Sequence, residues 1–238
     1  MSIGIGDNLG KSFEFAKNRL VGKWVDWIIL IVLTLIIMVG GAIPIVGWVI
    51  SLLAGVLLTG FIIRVYRGGE PKLDNYVKMF IDGILATIIG IIYMIVPIIL
   101  AVIFGAAAFM TSMTSFNPAN AMDTISGLTA GIGIVGIIVT FIVAIIFGIL
   151  ATMAIVRFAK EEKFGAAFEF GEIFKIVGKI GWLHYILSWI VLMIIFAVIF
   201  FIFILLSLII IGLILMLVFM PFMMIWQAKY FAQLYESA

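Results

Sequence analysis

Residues 60–83 read GFIIRVYRGGEPKLDNYVKMFIDG, and here a chain of nearly unbroken hydrocarbon abruptly becomes charged. The first part, through Tyr66, has the composition of the end of a membrane span, with Arg64 and Arg67 placed to reach lipid phosphates. Gly68-Gly69-Glu70-Pro71 is a turn. Leu73, Tyr76, Val77, Phe80 and Ile81 then recur at i, i+3, i+4, i+7 and i+8, which predicts a short amphipathic helix over 73–82. Asp74, Asn75, Lys78 and Asp82 fall on its other face, so it is expected to lie in the membrane interface.

The rest of the chain explains why such a stretch is needed. Of 238 residues, 66% are hydrophobic and 11% charged, against roughly 25% charged in a soluble domain. Too few polar groups remain to cover a water-facing surface, so lipid is the expected solvent. The net charge of +2 lies in a few short segments and gives no footprint for nucleic acid. The absence of cysteine removes disulfides, thiolate metal sites and cysteine nucleophiles together.

A helix crosses the hydrocarbon core in about 20 residues, and six spans are expected. Residues 24–40 and 46–65 are split by GGAIP; 84–110 and 128–156 are split by the polar TSMTSFNPANAMDT. The run from 182 to 230 is too long for one span and is divided near Ser207, giving 183–205 and 208–230. A five-span reading with one long tilted final helix is the alternative.

Every lysine and arginine falls in 11–23, 64–78, 157–179 or at Lys229. Six spans put these segments on one side, and the three opposite turns carry no positive charge. Basic loops stay cytoplasmic during insertion, so both termini are expected inside, in a cell membrane whose anionic inner leaflet is the chain's expected partner. Other membrane proteins are possible partners; nucleic acid is not expected.

The basic segments resemble one another. SFEFAKNRLVGKW from Ser12 compares with AFEFGEIFKIVGKI from Ala167, and both with 73–82. The expected fold is all-α and polytopic: one membrane domain of six transmembrane helices in three hairpins, about 8–66, 73–158 and 166–235, each preceded by a cytoplasmic interfacial amphipathic helix. In the third of these helices, Phe170, Ile173, Phe174 and Val177 form the apolar face.

At these residues the chain resembles a largely archaeal family of multi-pass membrane proteins of unknown function. The similarity rests on an arginine-ended span, a glycine-and-proline turn, an aromatic amphipathic segment and an Asp-Gly pair. Arg64, Gly68, Pro71, Tyr76, Asp82 and Gly83 occupy those places. The family is more distantly similar to the membrane domain attached to some glycerophosphodiester phosphodiesterases, whose catalytic domain has no counterpart here. The resemblance implies fold and location, and no activity.

Three ionisable residues form the candidate ion or proton site: Asp26 and Asp82 at the first turns of the first and third spans, and His184, the single histidine. The bland reading makes the carboxylates helix caps and the histidine an interfacial hydrogen-bond donor. Arg64, Arg67, Arg157 and Lys160 are the expected inner-leaflet headgroup contacts. Gly127 and Gly131, in GxxxG spacing, with Gly136 and the Gly105–Ala108 run opposite, are expected to pack two spans closely. No metal site, cofactor or catalytic constellation is expected, since one histidine and no cysteine cannot build a zinc site. The chain is thus expected to be a non-catalytic membrane scaffold or accessory subunit. The alternative is a transporter or channel for protons, small cations or apolar, lipid-like solutes.

Overall fold

The computed structural model describes residues 3–114, 132–208 and 211–238, and among them every regular element is helical. The α-helices are α1 (Ile5–Leu20), α2 (Trp24–Gly40), α3 (Val46–Arg67), α4 (Tyr76–Thr114), α5 (Ile132–Glu161), α6 (Phe170–Ile180), α7 (Trp182–Ser207) and α8 (Ile211–Glu236). A 3-10 turn, Phe164–Phe168, precedes α6.

Five of these, α3, α4, α5, α7 and α8, are long and apolar enough to cross a membrane. A sixth arises if α1 and α2, bent by 101° at their break, are taken together. Alone, α2 has 17 residues, about 26 Å at 1.5 Å per residue, slightly short of a hydrocarbon core of about 30 Å. The division near Ser207 holds: α7 ends there and α8 begins at Ile211.

These helices expose large apolar side chains and bury several polar ones within an apolar core, unlike those of a water-soluble bundle. Val77, Leu183 and Ile137 are 72%, 72% and 70% exposed, while Asn8, Ser12, Arg19, Asp82, Arg157 and Ser188 are buried. Between a lipid exterior and an apolar interior, a leucine gains little by choosing either. A polar side chain, by contrast, must find a partner inside.

Two compact units emerge, Met1–Ile89 with Thr152–Ala238, and Gly90–Ala151. In the first, α8 is the central strut. Its 221–234 stretch buries Phe222, Met223, Ile225, Tyr230, Phe231 and Leu234. An antiparallel aromatic ladder joins it to α7: Phe203 with Phe219, Phe196 with Trp226, and Trp189 with Phe231, centroids 5.0–5.7 Å apart. At the top of this hairpin Gly212 lies against the Phe203 carbonyl, where no side chain fits. The α2–α3 hairpin closes on Gly40 and Gly47, whose backbones are in contact, and Ser51 Oγ donates to the Ile36 carbonyl at 3.1 Å. In the second unit, Gly136 packs on the Phe104 ring, while Gly127 and Gly131 lie outside the described residues.

The three amphipathic segments take different forms. α1 and α6 are separate helices; the predicted helix over 73–82 is not. Residues 68–75 are non-helical, and Tyr76 opens the 39-residue α4 without a break at Asp82. The apolar face predicted from periodicity is not the one turned inward. Tyr76, Val77 and Ile81 point outward, and Met79, Asp82, Gly83 and Ala86 are buried. The junctions nevertheless share a device. Gly22, Asn75 and Gly181 have φ of 86°, 40° and 93°, and a helix starting with an aromatic residue, Trp24, Tyr76 or Trp182, follows within two residues. Left-handed backbone there turns the chain sharply.

Candidate functional site

Many charged residues of the first unit pair with each other near one end of its helices. Arg19 is 4% exposed as a residue. It sits beside Asp26 at 2.8 Å, donates from Nε to the Pro71 carbonyl at 2.6 Å, and lies 5.4 Å from the Phe61 ring centroid. The bend between α1 and α2 therefore brings Arg19 back onto the first turn of α2. Lys23 reaches Glu70 at 3.0 Å and holds that carboxyl below its ordinary value by hydrogen bond and charge.

Arg64 fastens the 68–75 segment to α3. Its guanidinium donates to the Lys72 and Asn75 carbonyls and to Asp74. Arg67 is the junction of the layer. It pairs with Asp82 at 2.5 Å, lies 3.7 Å from Glu162, and donates from Nε to the Ala159 carbonyl at 3.3 Å. Lys78 binds Glu162 from the other side at 3.1 Å. Lys160 donates to the Arg67 carbonyl and pairs with Glu236 near the end of α8, and Arg157 pairs with Glu169. Through these contacts α1, α2, α3, α4, α5 and α8 are tied at one level.

The side chains of Arg64, Arg67, Arg157 and Lys160, the expected headgroup contacts, are 11–18% exposed, and each pairs with a carboxylate of this chain. A guanidinium removed from water needs fixed acceptors, and carboxylates of this chain supply them.

Asp26, Asp82 and His184 are placed separately. Asp26 faces Arg19, Asp82 faces Arg67, and His184 Nε2 lies 3.0 Å from the Ile3 carbonyl. A carbonyl only accepts, so Nε2 carries the hydrogen in that contact. Among the described residues no three His, Asp or Glu side chains come together as a metal-binding group. Arg19, Glu162 and Glu236 belong to the charged layer and were not singled out from sequence. The one available signal was Arg19 preceding Asp26 by seven residues with Gly22 between them.

Two cavities are lined almost wholly by hydrocarbon. One, of about 470 Å³, lies in the second unit among Ala101, Phe104, Gly105, Gly136, Ile137, Thr140, Phe141 and their neighbours. The other, of about 290 Å³, lies along α7 in the first unit, with Gln227 its most polar lining residue. Neither includes Asp26, Asp82 or His184.

Helices of membrane-spanning length closed at one end by a layer of paired charges define an all-α protein of the multi-pass membrane class. Residues 43–208 match the model of a family described as a protein of unknown function, DUF4013, and the chain belongs to that family. The match begins in the α2–α3 turn and covers Arg64, Gly68, Pro71, Tyr76, Asp82 and Gly83. No curated protein and no solved structure matches the chain.

Proposed function

We propose that this protein is a non-catalytic scaffold or accessory subunit of the cell membrane, with its charged end and both termini on the cytoplasmic side. The observation that carries this reading is the state of its ionisable groups. Asp26 and Asp82 each close on an arginine, and neither lines a described cavity. A polar solute crossing the body would lose its hydration with few groups to replace it, at several kcal/mol for each unsatisfied group. Rigid ties across six helices suit a platform.

Its first partner is anionic lipid. The exposed lysines Lys11, Lys17, Lys72, Lys163 and Lys179 have no ion pair among the described residues. They, more than the four cations paired within the protein, contact headgroups, at about 1 kcal/mol per basic residue near the surface. Exchanging Lys11, Lys17 and Lys179 for glutamine should weaken stabilisation by anionic lipid. Equal stabilisation of the variant and the parent would remove this role.

The deciding experiment is proton and small-cation flux in liposomes, with and without Asp26→Asn and Asp82→Asn. Scaffolding predicts the background flux of empty liposomes in every case. Flux that the substitutions abolish would make the carboxylates a permeation site and overturn the reading. The second reading, passage of apolar or lipid-like molecules, draws on the cavity among Phe104, Gly136 and Phe141. A scrambling assay with fluorescent lipid tests it.

A further inference from the structure

The aromatic ladder between α7 and α8 has a recess in it. Trp226 meets Phe196 and, further along α8, Phe231 meets Trp189. Between these rungs Gln227 lines the groove of about 290 Å³. The other walls include Trp189, Met193, Phe196, Ala197 and Phe200, all on one face of α7. Gln227 is half-buried, and its carboxamide makes no hydrogen bond among the described residues. Trp189 brings the groove's other side-chain N–H, and that Nε1 is already given to the Tyr185 hydroxyl at 3.4 Å.

The depth makes an unpaired amide costly. Gln227 precedes Glu236 of the charged layer by about 14 Å along α8, at 1.5 Å per residue. It therefore lies within the hydrocarbon stretch of a helix long enough to span the membrane. A carboxamide carries two donors and an acceptor, and lipid tails offer a partner to neither.

We propose that this groove binds a neutral, flat carbonyl compound dissolved in the membrane, of the quinone class, whose carbonyl oxygen accepts from the Gln227 amide. No lining residue is charged, which suits a neutral ligand. The rings of Trp189, Phe196 and Phe200 favour offset or edge contact with a conjugated ring, and the Met193 sulfur packs well on aromatic edges. The volume is at the lower end of small-molecule pockets, about 300–1,000 Å³, which holds one ring and leaves its tail in the bilayer. An acyl chain in the groove leaves the amide unpaired. A second copy is a poorer occupant, because close helix approach needs small residues and the walls here are mostly large.

The test is titration of decylubiquinone into the whole protein in lipid nanodiscs, read by tryptophan fluorescence, which quinones quench on contact and to which Trp189 contributes. Quenching should saturate, and decylbenzene, with ring and tail but no carbonyl, should not displace the quinone. Gln227→Met keeps the size and removes the amide. It should raise Kd several-fold yet melt no lower than the parent, since an unpaired polar group gives way to an apolar one. Ala197→Phe, at the exposed rim, should block the groove and abolish saturation. Quenching that rises linearly in the parent would mark partition into the bilayer alone and overturn the proposal. So would equal saturation by all three proteins, or displacement by decylbenzene. A Gln227→Met protein that melts well below the parent would give the amide a partner inside the fold and overturn it as well.

Discussion

Gly60 and Gly83 pack backbone on backbone where α3 crosses α4. A methyl carbon built on Gly83 would lie 3.0 Å from the Gly60 nitrogen and inside the Val56 carbonyl, and one built on Gly60 would fall inside the Met79 carbonyl. These glycines bound the stretch that opens the charged layer, and their contact sets the separation at which Arg67 meets Asp82. Gly60→Ala should therefore lower stability by about 1–3 kcal/mol, as overpacking does. Gly55→Ala, facing open space on the same helix, should be neutral or stabilising by up to about 1 kcal/mol. Unfolding in detergent micelles measures both, and equal effects would refute the contact.

Breaking the Arg67–Asp82 pair leaves an uncompensated charge. Either Arg67→Met or Asp82→Leu alone should cost about 3–5 kcal/mol. The double variant Arg67→Met, Asp82→Leu should recover much of that loss. A double-mutant cycle gives the coupling, and simple additivity would show that the pair contributes nothing.

Gly181 holds φ of 93° at the turn between α6 and α7. Alanine there should cost about 1–2 kcal/mol, the penalty of left-handed backbone for a side-chain-bearing residue. Gly178→Ala, one turn earlier and facing open space, should instead stabilise by roughly 0.5–1 kcal/mol. Opposite signs from two glycines three residues apart are the expected outcome of a melting comparison.

A chain without cysteine is ready for mapping sidedness. Single cysteines at Lys72, Lys163 and Ser237 should all react with an impermeant maleimide from the same side of a sealed vesicle. One at Pro44 should react from the other. Mixed protection among the first three would disprove the orientation.

The helices and their breaks were legible in the sequence because glycine, proline and charge punctuate hydrocarbon. The turn at Gly40–Pro44 is of this kind, whereas the division near Ser207 rests on length, the run 182–230 being too long for one span. Which face looks inward was not legible. Periodicity groups Tyr76, Val77 and Ile81 on one apolar face but gives it no direction, and the structure exposes that face while Met79, Asp82 and Gly83 pack. The partners of the layer's cations were not legible for another reason. Arg67 meets Ala159, 92 positions away, and no local pattern announces a partner at that distance. For Asp26 and His184 the level along the helix was legible, while the contacts that occupy them, Arg19 and the Ile3 carbonyl, depend on the bend after Leu20 and on where α1 docks.

The docking of α1 also sets an order of events. Asn8 bonds the Tyr230 carbonyl, 222 residues further along the chain, and Trp226 Nε1 donates to the Leu9 carbonyl at 3.2 Å. At about 5–20 residues per second of synthesis, the first helix waits roughly ten to forty seconds for the surface it will occupy. Through that interval Asn8 lacks the Tyr230 carbonyl, and the arrival of α8 completes the seat of α1.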